Sequence, residues 1–288
     1  MATEKALSEF QIEFIATLKS RGRASATILA YGKDLEQLND HLAQKGKTTP
    51  EVVTSLDIEA FRDSLREKKY TDKSISRKLN AIKTFFRWLV TQKIIENDAA
   101  APVAHPKYQN PPPRLLTRME YRALRDAARG DIRIAAIVEL MLQTGIRIGE
   151  VANLKTGDVK DDRIKIEAYE SQLGREIPLN SPAKEALENY LKVRPEAKIE
   201  HIFITKTGRP LLVRNIRSSI DRYFKEAGIE NAKVNDLRST FIAHQLRTGV
   251  DVVTVSRITG HKRLSTTERY LQYVERKEGG RSTKLEEL

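Results

Sequence analysis

Apolar side chains recur every three or four positions through two stretches of the first part of the chain. Ile28, Tyr31, Leu35, Leu38 and Leu42 form one set, and Ile75, Leu79, Ile82, Phe86 and Leu89 form another. A repeat near 3.6 residues lines each set along one side of a helix, so this part predicts an all-α bundle. The pattern stops at "PVAHPKYQNPPPR", residues 102–114. Its five prolines push each preceding residue out of the helical region and read as an extended linker. The expected division is an N-terminal domain over 1–103, a linker over 104–114 and a second domain over 115–288.

Beyond the linker the periodicity changes twice. A helix is expected around 117–129, followed by the strongly apolar "IRIAAIVELMLQTG". "DRIKIEAY" and "REIPLN" alternate apolar and polar residues as strands do, with "ESQLG" as the turn between them. From "SPAKEALENYLK" onward the pattern is helical again. The second domain should therefore be mostly helix around a small antiparallel sheet, and the whole chain mainly α.

Composition narrows the partners. With 288 residues the chain is long enough for about two domains with real cores. Its 51 Lys+Arg against 39 Asp+Glu give a formal charge of +12, which favours a polyanion, either nucleic acid or an anionic membrane. No stretch approaches the roughly 18 uncharged apolar residues of a spanning helix, and "MATEKALSEF" lacks a signal-peptide pattern. A soluble, intracellular, cytoplasmic protein is expected. The sequence has no cysteine, so its chemistry must use oxygen or nitrogen groups. Residues 62–93 carry ten Lys/Arg against three acids. On a helical wheel of about 100° per residue, Arg77, Asn80, Thr84 and Arg87 fall together opposite the apolar stripe. Such a face suits a helix laid in a DNA major groove, and a solvated outer face is the competing reading.

The five histidines, His41, His105, His201, His244 and His261, form no metal-ligand pattern, and no phosphate-binding glycine loop is present. Neither metal nor nucleotide cofactor is expected. "LQTGIRIGEVANLKTGDV" puts Arg147 just past a helix end at Gly145, with Glu150 three residues on to orient it. "VNDLRSTFIAHQL" puts Asp236 where it can cap a helix and Arg238 in the first turn. "VDVVTVSRITGHKRLSTTERY" reads as a helix capped by Asp251 and ended by Gly260, with His261 in the turn. A second helix is expected from the Ser265/Glu268 capping box, carrying Tyr270 in its second turn. Two arginines, a histidine and a tyrosine in one domain of a basic chain are what metal-free phosphodiester transesterification needs. The arginines would neutralise a five-coordinate phosphate, the tyrosine would attack, and the histidine would move protons or hold the phosphate.

These motifs resemble the tyrosine recombinases (phage-integrase family), most closely the short Xer-like members. "SATILAYGKDLEQLNDHL" and "SISRKLNAIKTFFRWLV" look like its SAM-like core-binding helices. "TGIRIGEVANLKTGDV", "DLRSTFIAHQL" and "GHKRLSTTERY" look like its first-arginine, second-arginine and histidine–tyrosine motifs. The resemblance implies that Arg147 and Arg238 bind the scissile phosphate, that His261 is the late histidine, and that Tyr270 forms a 3′-phosphotyrosyl link, with Glu150 supporting Arg147. It further implies a helical DNA-binding domain and a mixed catalytic domain clamped on duplex DNA, in the nucleoid. Two protomers would bind each core site and a tetramer would form at synapsis, with exchange through a Holliday junction. The polar tail after Leu271 would dock on a neighbouring protomer.

Two positions depart from the pattern. Asn235 stands where the family usually has a histidine, and it can bond a phosphate but not carry a proton near pH 7. The family places an acid lysine in or beside the hairpin, and "ESQLG" has none. A short-hairpin register offers Gln172 or Glu170, and a longer one offers Lys165 from the first strand. The biological task is dimer resolution or integration and excision of a mobile element, with or without an accessory protein. Competing readings are a catalytically weakened architectural DNA-binding protein and a type IB topoisomerase-like enzyme.

Overall fold

The computed structural model describes residues 5–160, 162–168, 174–274 and 286–288. Four helices come first: α1 (Leu7–Ser20), α2 (Ser25–Ala43), α3 (Ser55–Glu67) and α4 (Asp72–Thr91). They belong to one of two compact units, Met1–Asn110 and Pro111–Leu288. Helix α4 is the spine of this first unit because its apolar stripe is complete. Ile75, Leu79, Ile82, Phe86 and Leu89 are all buried, and Phe85 and Trp88 pack with Phe14 of α1. Thr71 caps the helix, its side chain accepting from Ser74 N.

The face of α4 opposite that stripe carries Arg77, Asn80 and Arg87 exposed and Thr84 half-buried, as the wheel predicts. Two of the four are also tied down. Thr84 Oγ1 donates to the Asn80 carbonyl at 2.6 Å. Arg77 folds onto buried Asp34 of α2, with Nη2 to Oδ1 at 3.0 Å. Lys78, itself buried, reaches the same carboxylate at 2.8 Å and Gln37 Oε1 at 2.7 Å. Burying these charges is tolerable only because each finds a partner, so Asp34 holds α2 to α4.

The second unit contains α5 (Arg118–Ala128), α6 (Ile132–Thr144) and α7 (Ile148–Asn153), then β1 (Val159–Lys160), β2 (Arg163–Ile166) and β3 (Arg175–Pro178). It continues with α8 (Ser181–Val193), α9 (Val213–Glu226), α10 (Val234–Arg247), α11 (Val252–Thr259) and the one-turn α12 (Ser265–Glu268). Helix α6 buries Ile134, Ala136, Ile137, Val138, Leu140, Met141 and Leu142 around most of its circumference and is accordingly central, packing against α8 and α10. The sheet is antiparallel in the order β1-β2-β3, with Ile164 opposite Ile177 on its buried face and Lys165 opposite Glu176. The "ESQLG" turn, including Glu170 and Gln172, lies outside the described residues apart from Gly174.

Residues 286–288 lie on this same unit. The buried Gln245 amide bonds both backbone groups of Glu286, at 2.7 and 2.9 Å, and buried Gln143 does the same for Leu288, at 3.1 Å each. Two buried glutamines thus hold the backbone at alternate residues. Where the resemblance implies docking on a neighbouring protomer, these three residues dock on their own chain.

Candidate active site

Glycine at 145 makes the first anchor. It ends α6 with φ +62°, a left-handed conformation that favours glycine, and a Cβ there would meet the Phe241 ring at 2.3 Å. Its carbonyl accepts from Nη1 of Arg238. Arg238 is not in the first turn of its helix. Helix α10 begins at Val234, and Asp236 caps it from the third position by accepting from Lys233 N at 2.7 Å. That places Arg238 in the second turn and 5% exposed, so its hydrogen bonds cross to other elements rather than its own helix end. Its Nη2 donates to Thr259 O at 2.5 Å.

Arg147 is fixed in the same way. It precedes α7, where its backbone N donates to Glu150 Oε2 at 2.8 Å and its Nη1 to Oε1 at 3.0 Å. Its Nη2 donates to Gly260 O at 2.8 Å. Gly260, with φ +63°, ends α11 as expected. Motifs far apart in sequence thus meet at one turn, where adjacent carbonyls hold the two arginines.

A third arginine, which sequence reasoning missed, completes the cluster. Arg175 of β3 makes a two-pronged ion pair with Glu150, Nη1 to Oε1 at 2.7 Å and Nη2 to Oε2 at 2.8 Å, and its Nε donates to Ile258 O at 2.6 Å. One signal was available. In a strand with period two, Arg175 shares the face of buried Ile177, and a charged residue facing inward demands a partner.

This charge density sets the protonation states. Burial, and then the neighbouring Arg147, lower the Arg238 guanidinium to about 9, so it stays charged at neutral pH. Burial pushes the Glu150 carboxyl up, but hydrogen bonding and charge from Arg175, with Arg147, hold it below its ordinary value. His261 is lowered to about 3, first by burial and then by Arg238 and Arg147, and is neutral in the resting protein. Its Nδ1 lies 2.7 Å from Thr267 Oγ1.

Tyr270 is placed differently from expectation. Helix α12 has Leu264 as its N-cap and ends at Glu268, so Tyr270 sits beyond it, at the start of the 3-10 turn Leu271–Tyr273. Ser265 is the first helical residue rather than a cap, because the preceding turn is already helical at Leu264 (φ −57°, ψ −38°). Tyr270 is 4% exposed, and its hydroxyl lies 3.2 Å from the Oγ of buried Ser239, the residue after Arg238. Its Arg269 neighbour lies over the ring.

A cavity of about 540 Å³ opens on Arg147, Glu150, Asn235 and Arg238, with Glu167, Arg217, Asp221 and Lys233 around it. Asn235 is exposed at the start of α10. Tyr270 is not in this lining. Lys165 is exposed on β2 and lines a separate cavity of about 220 Å³ that also touches Glu150 and Glu167, with Lys155 and His201. The structure therefore brings Arg147, Arg238, Glu150 and Asn235 together, sets His261 beside them, and leaves Lys165 next door.

Residues 114–276 match the phage integrase family. The chain belongs to it. Members are tyrosine recombinases, which cleave and rejoin DNA by transesterification, and residues 12–93 match the phage integrase N-terminal SAM-like domain. The chain is 31% identical over 265 residues to tyrosine recombinase XerC of Thermodesulfovibrio yellowstonii, covering 87% of this chain and 86% of that one. It is 29% identical over 263 residues to XerC of Roseiflexus castenholzii, covering 87% and 84%. Its fold resembles a lambda integrase (75-356) dimer bound to a COC' core site, with TM-score 0.76 at 20% identity over 91% of this chain and 97% of that one. A lambda integrase tetramer bound to a Holliday junction gives 0.74 at 20% identity over 90% and 78%. Among the described residues no helix is long and apolar enough to cross a membrane.

Proposed function

We propose that this recombinase cuts its DNA site with Tyr270 as nucleophile, Arg147 and Arg238 as phosphate clamps and His261 as proton carrier. The observation that carries this is the turn at Thr259–Gly260, whose carbonyls hold both arginines beside one open cavity. A scissile phosphate in that cavity meets two guanidiniums whose orientation is set before it arrives, which is where electrostatic catalysis is strongest. The Tyr270 oxygen attacks phosphorus, the P–O5′ bond breaks, and a 3′-phosphotyrosine forms. His261 is held neutral by burial and the arginines before DNA enters, and it takes the phenol proton once the negative phosphate offsets those charges. Asn235 bonds a phosphate oxygen without transferring a proton. Lys165, on the strand leading into the hairpin turn, is the proposed donor to the departing 5′-oxygen. Because the bond energy is kept in the phosphotyrosine, rejoining requires no nucleotide.

The N-terminal residues 1–103 act as the DNA-binding domain through the α4 face of Arg77, Asn80, Thr84 and Arg87, residues 104–114 as the linker, and residues 115–288 as the catalytic domain. Two protomers per core site and a tetramer at a Holliday junction are the proposed assemblies, supported by the lambda integrase structures of similar fold. Tyr270 must leave Ser239 to reach the cavity, so DNA binding and assembly are the proposed triggers. Footprinting on genomic DNA flanking the gene locates the site. A nicked duplex carrying it should then trap a covalent adduct that Tyr270→Phe abolishes. An adduct that persists in Tyr270→Phe, or none with wild type, overturns this reading, the latter in favour of an architectural DNA-binding role.

A further inference from the structure

Three consecutive carbonyls at the end of α11 each accept from a different arginine. Ile258 takes Arg175, Thr259 takes Arg238, and Gly260 takes Arg147. A helix C-terminus carries partial negative charge, so cations belong there. Two of these cations open onto the cavity, and Arg175 does not. With a side chain 6% exposed, it is spent entirely on protein groups.

The Glu150 carboxylate shows what Arg175 does. Each oxygen is shared between the two arginines: Oε1 takes Nη1 of both, and Oε2 takes the Arg147 backbone N–H and Arg175 Nη2. Without Arg175 the carboxylate could swing onto Arg147 as a full two-pronged partner and draw it off Gly260. The chain at Gly260 is also moulded to Arg175, since a Cβ there would meet Nη1 at 3.0 Å and Cδ and Cζ at 3.1 Å. A guanidinium supplies N–H groups in three directions at once, here two to a carboxylate and one to a carbonyl, and a lysine cannot.

We propose that Arg175 is a positioning residue for strand cleavage: it locks Glu150 and the Ile258–Gly260 carbonyls into one frame that holds Arg147 and Arg238 in their phosphate-binding orientation. This rests on the recombinase reading above. Arg175 also adds a fixed positive charge beside the five-coordinate phosphate without touching it.

The test compares Arg175→Gln and Arg175→Lys with wild type, below their melting temperatures. On the nicked duplex, Arg175→Gln should form the adduct about 10- to 100-fold more slowly, as is usual when a supporting residue is lost, with DNA affinity, which many other phosphate contacts supply, falling far less. Arg175→Lys should recover part of that loss. In a second arm without DNA, the Nε–Hε signals of Arg147 and Arg238 are followed by NMR during titration with inorganic phosphate, whose affinity should fall in Arg175→Gln. Wild-type cleavage by Arg175→Gln, or a loss that vanishes when scaled to the folded fraction, overturns the proposal, as does unchanged phosphate affinity. If wild type forms no adduct but the phosphate arm separates the variants, the recombinase reading fails and the positioning role stands.

Discussion

Replacing Ser239 by alanine should make this enzyme cut faster. The Ser239–Tyr270 contact is a neutral hydrogen bond of 3.2 Å between two buried groups. Such a bond contributes about 0.5–1.5 kcal/mol, and removing one partner leaves the other unpaired at a penalty of about 1–3 kcal/mol. Alanine therefore raises the resting state by about 1–2 kcal/mol relative to a state with the phenol released, which multiplies the released population by roughly 5 to 30. Release precedes attack, so while that population is small the observed rate rises by the same factor. Single-turnover adduct formation on the nicked duplex measures it. Nitration of Tyr270 by tetranitromethane, located by peptide mapping, reports the same release without DNA. An adduct rate and a nitration rate both equal to wild type would falsify the idea that Ser239 retains the nucleophile.

Other outcomes follow from the same geometry. His261, lowered to about 3, does not bind a proton that the unfolded chain binds below its ordinary 6.5, so stability should fall as pH drops below 6.5. His261→Gln should decline less steeply, and parallel urea-unfolding curves at pH 7 and pH 5 would contradict the shift. Gly145→Ala combines a left-handed φ with a 2.3 Å overlap on the buried Phe241 ring, and should cost about 2–5 kcal/mol by thermal or urea unfolding. Gly260→Ala carries the same left-handed φ but meets the Arg175 side chain at 3.0–3.1 Å instead of a ring at 2.3 Å, so its stability loss should be smaller while adduct formation slows sharply; equal losses would argue against the moulded turn. If Lys165 protonates the leaving oxygen, Lys165→Ala should be defective on ordinary DNA and near wild type on a substrate with a bridging 5′-sulfur, whose thiolate needs no proton. Equal defects on both would remove Lys165 from that role.

Residue pattern and tertiary structure divide this protein along a physical line. Period and capping were legible locally, since the apolar stripe of α4, the Asp251 cap and the Gly145 and Gly260 helix ends depend on residues within a turn or two of one another. The family motifs were legible as well, because Arg147, Glu150, Arg238 and His261 sit in short, specific strings. Element boundaries at Arg238 and Tyr270 were not: Asp236 caps α10 from its third position rather than from the N-cap, which starts the helix a turn earlier, and α12 stops after four residues with no local stop signal. The period-two pattern of "REIPLN" signals that Arg175 needs a partner, but not that the partners are Glu150, 25 residues away, and the carbonyl of Ile258, 83 away. Burial of Tyr270 against Ser239 was equally silent, for a hydrogen bond across 31 residues exists only once α10 and the C-terminal turn have packed. Sequence by itself singled out the groups proposed to carry the chemistry. Only the tertiary fold decided which of them are held ready, which is held back, and what holds them, because orientation comes from buried partners distant along the chain.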